Sequence, residues 1–391
     1  MDAYIVKGYR TAVGRAKKGG FRFTRPDDLA VEIIKNLVSS VDGLENTMID
    51  DVIVGNAVQE AEQGMQMGRM ISLMACGIET PGMVINRYCG SGLEAIHLAS
   101  AKINAGMADV VIAGGTESMS MVPVMGFKTA LNYKITSENP DYYTSMGLTA
   151  EQIAQEWNIS RDDQDEFAYQ SHMKAIAAQE AGKFRDEIIP ITVKETYVEG
   201  DKKKTREFTV SEDEGPRRET TKEVLGQLRP VFAAGGTVTA GNSSPTNDGA
   251  AFVIVMSEKK VKELGLEPVA RLVSYAVAGV EPRIMGVGPT YAVPKALDRA
   301  GLKLQDIDLI ELNEAFAAQS LSVIRDLDMD MSKINVNGGA IALGHPLGST
   351  GARLSLTLIN EMRRRQGSKY GMVTACVGGG QGVAGIYEFL K

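Results

Sequence analysis

The chain has 391 residues, 44% of them hydrophobic and 23% charged, with a formal net charge of −7. These values indicate a globular protein with a sizeable core. The acidic balance argues against a nucleic-acid binder but leaves room for a local basic patch that holds a phosphorylated ligand. We expect no membrane span, because no window approaches the roughly 18 apolar residues that a span requires.

The ends of the chain and its cysteines predict a cytoplasmic location. The first residues, MDAYIVKGYRTAVG, lack the long apolar stretch of a signal peptide, and the final FLK matches no targeting tripeptide. Three widely spaced cysteines do not resemble a disulfide framework, so we expect free thiols in a reducing compartment.

The first part of the chain has the pattern of a strand–helix–strand unit. Residues 27–38 have apolar side chains at helical spacing, and residues 49–56 (IDDVIVGN) then form a predicted strand. The turn NRYCGSG at 86–92 leads into a helix with one apolar face. The segment DVVIAGG at 109–115 is the next predicted strand.

The middle of the chain, residues 121–245, is predicted to be an insertion that could carry a ligand site. Residues 116–148 lack a clear period and indicate a loop. Two helices follow, with capping-box-like starts at Thr149 and Ser160. Residues 199–223 are rich in charge, and we expect them to be solvated.

The last part of the chain repeats the first unit. A helix that ends at Gly301 precedes a strand at 306–313 (DIDLIELN). The glycine-rich turn NGGAIALGHPLGSTG at 337–351 then leads into a helix, and the final strand pattern lies at 371–380. Alternation of this kind predicts parallel sheets covered by helices.

The repeat predicts two similar α/β domains with the insertion between them. The first domain is predicted to comprise residues 1–120 and 246–262, because a buried strand follows the insertion. The second domain is predicted to comprise residues 263–391.

Cys89 lies in the NRYCGSG turn, just before a predicted helix start. A lone cysteine can be a small buried hydrophobe. The N–H groups and the dipole at a helix start also stabilise an anion and lower a thiol pKa, which would suit a nucleophile. Gly90 and Gly92 would permit a sharp turn and close approach of a substrate.

Cys376 ends the last predicted strand and is followed by three glycines. It could be a core residue, or its glycine neighbours could bind an oxyanion at the edge where open α/β sheets place ligands. Cys76, in LMACGIE, has no such setting, and we expect it to be structural.

Of the three histidines, only His345 lies in a glycine-rich turn. Pro346 biases it away from helix, and a histidine fixed there is a candidate catalytic base. His97 lies on the helix after Cys89 and is expected to be a packing or hydrogen-bonding residue, and His172 is expected to face solvent on a charged helix. No pair of histidines or cysteines has metal-ligand spacing, so we predict no metal site.

Asn313 and Glu314 follow the strand at 306–313. The amide of Asn313 could hold a water or donate to a carbonyl oxygen. Glu314 could be a general base, or it could simply cap a helix.

These stretches together resemble the thiolase family over nearly the whole chain, through NRYCGSG, SMGLTAE, GTVTAGNSS, LNEAFAAQ, NGGAIALGHPLGSTGAR and TACVGGGQG. The resemblance implies an α/β fold of two pseudo-repeated domains in a five-layered α-β-α-β-α arrangement. It also implies that the insertion at 121–245 is a loop domain that binds coenzyme A. Coenzyme A and acyl-CoA would be substrates, with no metal or redox cofactor.

The resemblance also implies roles for five catalytic residues. Cys89 would be the nucleophile that carries the acyl group as a thioester, and His345 would take its proton. Cys376 would be the second acid/base, at the α-carbon of the acetyl unit. Asn313, through a water, would form one oxyanion hole with the His345 side chain, and the N–H groups of Cys89 and Gly378 would form the other.

The resemblance also implies which further residues contact the substrate. Met146 and Phe316 would line the pantetheine and acyl region. Ser244 and the neighbourhood of Arg217 and Arg218 would bind coenzyme A. Family members form homodimers or homotetramers, and some degradative members also pair with a multifunctional hydratase–dehydrogenase subunit.

The physiological class depends on a small departure from the family pattern. Ser145 stands where short-chain biosynthetic members commonly have histidine. This favours a degradative 3-ketoacyl-CoA thiolase of fatty-acid β-oxidation over a short-chain acetoacetyl-CoA thiolase (acetyl-CoA acetyltransferase). Ser349 replaces a cysteine of many members at a position without a catalytic role.

Two other functions are compatible with the scaffold. A decarboxylating ketoacyl synthase would need a second catalytic histidine, where this chain has the thiol of Cys376. A non-catalytic acyl-CoA binder would not need Cys89, Asn313, His345 and Cys376 together.

Overall fold

A computed structural model describes residues 2–390. These residues form twelve strands: β1 (Ala3–Arg10), β2 (Gly14–Arg15), β3 (Asp51–Gly55), β4 (Gly82–Ile85), β5 (Val110–Ser118), β6 (Ile191–Glu199), β7 (Lys202–Val210), β8 (Asn247–Ser257), β9 (Ala270–Gly279), β10 (Leu309–Leu312), β11 (Tyr370–Val377) and β12 (Gln381–Phe389).

The α-helices within residues 2–390 also number twelve: α1 (Pro26–Ser39), α2 (Met67–Ala75), α3 (Ser91–Asn104), α4 (Tyr133–Glu138), α5 (Met146–Glu156), α6 (Arg161–Glu180), α7 (Lys222–Gly226), α8 (Glu258–Glu263), α9 (Gly288–Ala300), α10 (Ala317–Asp326), α11 (Ala340–Leu343) and α12 (Leu347–Arg364). None of the helices in this part of the chain has the length and apolar character needed to cross a membrane.

The large sheet has two halves that correspond to the two predicted repeats. The N-terminal half-sheet has the order β4-β3-β5-β8-β1, and the C-terminal half-sheet has the order β9-β12-β11-β10. The register between β1 and β9 pairs Ile5 with Ala270, and this pairing joins the halves. In both halves a short strand (β3 or β10) pairs in parallel with the strand that follows the central helix (β5 or β11).

The prediction of parallel sheets is therefore only partly right, because the sheet is mixed. β8 runs antiparallel to β5 and β1, and β12 runs antiparallel to β11 and β9. Only a tight turn through Gly378–Gly380 separates β11 from β12, and so short a connection can join only antiparallel strands.

Three hydrophobic clusters define five layers. Leu29 and Ile33 of α1 pack with Val54 on the outer face of the N-terminal half-sheet. Helices α3 and α12 share a central cluster with the inner faces of both half-sheets. Helix α9 and helix α10 cover the outer face of the C-terminal half-sheet. The predicted α-β-α-β-α arrangement is thus confirmed.

The first turns of α3 and α12 are in direct contact, and glycines lie at the point where the two helices meet. A Cβ added at Gly92 would lie 2.7 Å from the backbone nitrogen of Ala352, and one added at Gly351 would lie 2.2 Å from that of Leu93. Real Cβ atoms do not approach that closely, so only glycine allows this crossing. The two turns that precede these helices are consequently held side by side at one edge of the sheet.

The middle of the chain differs in detail from its prediction. Part of the charged segment forms the antiparallel hairpin of β6 and β7. Ser160 caps α6 as predicted, since its hydroxyl accepts from the N–H of Asp163. Helix α5 begins earlier than predicted, at Met146, and Thr149 lies within its first turn with its hydroxyl donating to the Met146 carbonyl. The domain boundary at 121–245 stays a prediction.

Candidate active site

Cys89 lies in a single 3-10 turn between β4 and α3, with its side chain half-buried. The turn is held by side chains, since Ser91 Oγ accepts from the Arg87 N–H at 2.8 Å and donates to the Tyr88 carbonyl at 2.7 Å. Tyr88 has a φ of 41°, an unusual value for a bulky residue. The backbone of the turn is therefore strained at Tyr88, and the hydrogen bonds of Ser91 fix the position of the Cys89 thiol.

The Cys89 thiol is neutral at rest. Burial of the sulfur raises its pKa to about 12, against hydrogen bonds from the backbone N–H groups of Gly378 and Cys89 that lower it, while the charge of Glu117 raises it further. The helix start was expected to lower this pKa, and that expectation was wrong because burial outweighs it. A base is therefore needed to activate the thiol.

Cys376 lies at the end of β11 and is fully buried. Burial, together with the charge that Cys89 would carry, raises the pKa of the Cys376 thiol well above its ordinary range. Cys376 shares an apolar cluster with Met146 and Phe316. A Cβ at Gly378 would lie 3.6 Å from Met146 Sδ, so four of the predicted residues share one region with Cys89.

His345 is buried and held at two points, its backbone N–H and its Nδ1. Its backbone N–H donates to Asn247 Oδ1 at 2.9 Å, and its Nδ1 lies 2.7 Å from Thr350 Oγ1. The Thr350 hydroxyl donates its own hydrogen to the Pro346 carbonyl, so it accepts from Nδ1–H. The other ring nitrogen, Nε2, is therefore the unprotonated one.

The imidazole is poised as a neutral base. Burial, with the nearby positive charge of Arg353, lowers the pKa of His345 to about 3. Asn313 Nδ2 lies 3.3 Å from Nε2. Asn313 is placed by its backbone N–H, which donates to the Thr374 carbonyl of β11 at 2.9 Å.

Two roles were considered for Glu314, general base and helix cap, and its contacts match the helix cap. Its carboxylate accepts from the Ser171 hydroxyl at 2.6 Å, the Asn335 amide at 2.7 Å and the Ile341 N–H at 3.2 Å. The last bond caps the start of α11. With its oxygens so engaged, Glu314 is not a free base beside Cys89.

The other histidines and the third cysteine are accounted for by packing. His97 stacks on Tyr275 with ring centroids 4.3 Å apart, as a packing residue should. Cys76 is a buried member of the core, as predicted. The prediction for His172 was wrong, because it is only 4% exposed and its Nδ1 accepts from the Arg217 N–H. Burial, Arg217 and Arg15 lower the pKa of His172 to about 4.

A cavity of about 370 Å³ lies beside Arg217, one of the residues expected to bind coenzyme A. Arg217 lines it, and so do Arg15 and Lys18, which sequence reasoning missed. Arg218 is not among the lining residues and instead pairs with Glu180. Ser244 lies between two lining residues and donates its N–H to the Ala315 carbonyl at 2.9 Å.

Sequence reasoning also missed the residues that hold the site residues in place. Asn247 and Thr350 fix His345, and Glu117 contacts the first turn of α12. Thr350 sits in the same GHPLGST motif as His345, so its spacing of five residues was a usable signal. Asn247 and Glu117 are distant in sequence, and no local pattern pointed to them.

Two α/β repeats around a central helix pair, with thiols from both repeats at one sheet edge, define a two-domain α/β enzyme of the acyltransferase class. The chain belongs to the thiolase family. The family model described as "Thiolase, N-terminal domain" matches residues 3–259, and the model described as "Thiolase, C-terminal domain" matches residues 266–389.

Relatives match over nearly the full length of the chain. It is 52% identical to a 3-ketoacyl-CoA thiolase of Bacillus subtilis, over 99% of both chains. It is 45% identical to an acetyl-CoA acetyltransferase of Pseudomonas aeruginosa, over 98% of both. The crystal structure of the Bacillus anthracis acetyl-CoA acetyltransferase matches with a TM-score of 0.89 and 40% identity, covering 100% of this chain and 99% of that one. The predicted family, fold class and acyltransferase activity are confirmed.

Proposed function

We propose that this enzyme is a 3-ketoacyl-CoA thiolase that acts in fatty-acid β-oxidation. It would use coenzyme A to cleave a 3-ketoacyl-CoA into acetyl-CoA and an acyl-CoA shortened by two carbons. The observation that carries the proposal is the proximity of two neutral thiols, Cys89 and Cys376. The neutral imidazole of His345 lies beside Asn313, whose backbone N–H bonds to β11, the strand that carries Cys376.

The first half-reaction breaks the carbon–carbon bond. As the Cys89 sulfur attacks the 3-keto carbon, its proton passes to Nε2 of His345. The bond between carbons 2 and 3 then breaks, leaving an acyl thioester on Cys89 and an acetyl-CoA enolate. The Cys376 thiol protonates the enolate carbon. A thiol with a raised pKa is suited to that step because it still holds its proton.

The second half-reaction transfers the acyl group. The thiol of free coenzyme A gives its proton to the Cys376 thiolate and attacks the thioester carbonyl. Cys89 leaves and recovers its proton from His345, so all groups return to their starting state. The cycle needs neither a metal nor a redox cofactor.

Two oxygens of the substrate become negatively charged during the reaction, the 3-keto oxygen and the thioester oxygen of the enolate. Each of them needs hydrogen-bond donors. The N–H groups of Gly378 and Cys89 already converge on the Cys89 sulfur, which supports a role for them at one oxyanion. At the other, the His345 side chain and a water held by Asn313 would be the donors. Among the described residues no group donates to the buried Asn313 Oδ1, and this supports a bound water there.

The cavity of about 370 Å³ is proposed to take part of coenzyme A. Its basic side chains, Arg15, Lys18 and Arg217, suit the phosphate groups of that substrate within an otherwise acidic protein. Met146 and Phe316, in the apolar cluster with Cys376, suit the pantetheine and acyl groups.

A short-chain acetoacetyl-CoA thiolase is the second candidate. Relatives of 45% and 48% identity are named acetyl-CoA acetyltransferase, whereas a relative of 52% identity is named 3-ketoacyl-CoA thiolase. Ser145, at the N-cap of α5, favours the degradative class, because short-chain biosynthetic members commonly have histidine at this position. Thiolysis of 3-ketoacyl-CoAs of four to sixteen carbons, beside acetyl-CoA condensation, separates the two. Activity confined to four carbons would overturn our choice.

A decarboxylating ketoacyl synthase has less support. His97 is stacked on Tyr275, and the Nδ1 of His172 accepts from the backbone N–H of Arg217 at the cavity of about 370 Å³, so neither stands in the place of the Cys376 thiol. A malonyl-thioester condensation assay tests this alternative, and efficient condensation would favour it.

We also propose that the enzyme associates with a second copy of itself. Strand β4 is at the edge of the sheet and pairs only with β3 among the described strands. Helix α2 packs closely on β4 and carries Met70 and Met74, which are exposed, with Ile78 just beyond. An unpaired edge beside apolar side chains suits an isologous contact between identical subunits. A multifunctional partner and a cytoplasmic location stay predictions.

A further inference from the structure

Glu117 is a buried carboxylate without an assigned role. It lies near the carboxyl end of β5 and is 1% exposed. Its Oε2 accepts from the backbone N–H groups of Ala57 and Gly348, each at 2.8 Å. Its Oε1 accepts from Gln63 Nε2 at 2.8 Å and Asn56 Nδ2 at 3.1 Å.

These bonds join the elements that carry the site. Gly348 is in the first turn of α12, three residues after His345. Ala57 follows β3, and its carbonyl accepts from the amide of Asn86 at 2.9 Å, at the start of the turn that holds Cys89. One carboxylate thus connects the His345 turn with the Cys89 turn.

Glu117 also supplies the hydrogen-bond acceptor that caps the start of α12. The N-cap residue is Pro346, whose side chain makes no capping hydrogen bond. A carboxylate that accepts from the second N–H of a helix satisfies an orphan donor and complements the positive end of the helix dipole. Here that anion comes from a distant strand, so the position of the helix start depends on it.

The four partners are neutral donors, and they match a carboxylate that only accepts. A protonated carboxyl would place its own hydrogen against one of these donors. Burial raises the pKa of Glu117 to about 7, against hydrogen bonds from the N–H groups of Ala57, Gly348 and Val58 and from the Gln63 amide that lower it, so neutral donors hold the ionised form.

We propose that Glu117 is a positioning residue that holds His345 in register with Cys89 for proton transfer. The inference rests on the proposed function, because it assumes that His345 takes the Cys89 proton. Glu117 makes no hydrogen bond to Cys89 or His345 among the described residues. It acts through the N–H groups of Gly348 and Ala57, beside the effect of its charge on the pKa of Cys89.

The test compares Glu117→Gln with Asp248→Asn in the full-length enzyme. Asp248 is a matched control because it is a fully buried carboxylate on β8, opposite Ser118, whose bonds go to Ser118 and Ser120 rather than to α12. We expect Glu117→Gln to lower kcat by about tenfold to a hundredfold with KM nearly unchanged. The rate of Cys89 acylation, followed by rapid quench, should fall by the same factor, whereas Asp248→Asn should leave both within about threefold.

Two further variants guard against loss of folding. Glu117→Asp keeps the charge but is shorter, and Gln63→Ala loosens the carboxylate without removing it, so each should show a smaller fall in kcat. Unchanged acylation in Glu117→Gln, or in both milder variants if that one does not fold, would overturn the proposal. Equal losses in Asp248→Asn would also overturn it. Failure of the wild-type enzyme to cleave any 3-ketoacyl-CoA would instead refute the proposed function.

Discussion

The side-chain nitrogen of Asn313 lies 3.3 Å from Nε2 of His345, the nitrogen that carries no proton. The amide comes from the end of β10 and the imidazole from the turn before α12, so two elements of the second repeat meet at one point. An amide that donates to the basic nitrogen keeps the ring neutral and in place until a thiol proton arrives.

Removing the amide tests this relationship. Asn313→Ala should lower kcat for thiolysis by about a hundredfold, as expected for loss of an oxyanion donor, with a small change in KM. Steady-state kinetics measure both constants. Asn337→Ala removes another buried amide, which donates to Glu361 at 3.0 Å, and serves as the control. Comparable losses in the two variants would contradict a specific role for Asn313.

The nucleophile is tested by Cys89→Ser. This variant should still bind coenzyme A, measured by calorimetry, but lose turnover by on the order of 10⁴ or more. Cys76→Ser is the matched control, because Cys76 is buried in the core on the other side of the N-terminal half-sheet. Wild-type thiolysis by Cys89→Ser would refute the assignment of the acyl carrier.

The resting charge of the thiol predicts a particular alkylation profile. With a pKa raised to about 12, the Cys89 thiolate fraction should increase about tenfold per pH unit from pH 6 to 9. The iodoacetamide rate, followed by peptide mapping, should rise in parallel. A plateau across this range would mean a stable thiolate–imidazolium pair. Cys89 should be labelled before Cys76, which is only 7% exposed, and acetyl-CoA should protect Cys89 alone.

The buried imidazole should make stability depend on pH. The folded pKa of His345, about 3, lies below the unfolded value of about 6.5, so folding favours the neutral ring. This contribution is complete above pH 6.5 and is lost as pH falls toward 3. Lowering the pH from 8 to 5 should cost about 2 kcal/mol through this group. Urea unfolding of wild type and His345→Asn measures the difference, and an equal pH dependence in both would contradict it.

The proposed contact between two copies predicts that a charge introduced on α2 dissociates the oligomer. Met74→Glu, at a side chain that is 51% exposed, should shift the enzyme to monomer in light scattering at micromolar concentration. Met107→Glu places the same charge on an exposed methionine in the turn after α3 and should not. A wild-type monomer, or an oligomer that survives Met74→Glu, would contradict the proposed contact.

Much of the fold was predictable because its information is local. Apolar side chains at helical spacing, glycine-rich turns and short apolar runs occur twice in the same order, and the structure has strands and helices at those places. The antiparallel strands of the mixed sheet were harder to predict from the sequence. The direction of β8 depends on where the long insertion returns the chain, and no local pattern encodes that.

The site shows the same division. Cys89, His345 and Cys376 stood out because each lies in or beside a glycine-rich turn. His172 was misjudged because its burial depends on the segment around Arg217, 45 residues later. The raised pKa of Cys89 likewise depends on the burial of its sulfur by distant parts of the chain, which outweighs the local effect of a helix start.

The crossing of α3 and α12 at Gly92 and Gly351 has a consequence for the symmetry of the site. Corresponding helices of the two repeats begin side by side, yet a thiol precedes the first and an imidazole precedes the second. The scaffold is thus close to symmetric, whereas its chemistry is not. Each repeat supplies a group that the other lacks at the matching turn, so neither half of the chain holds the thiol–imidazole pair by itself.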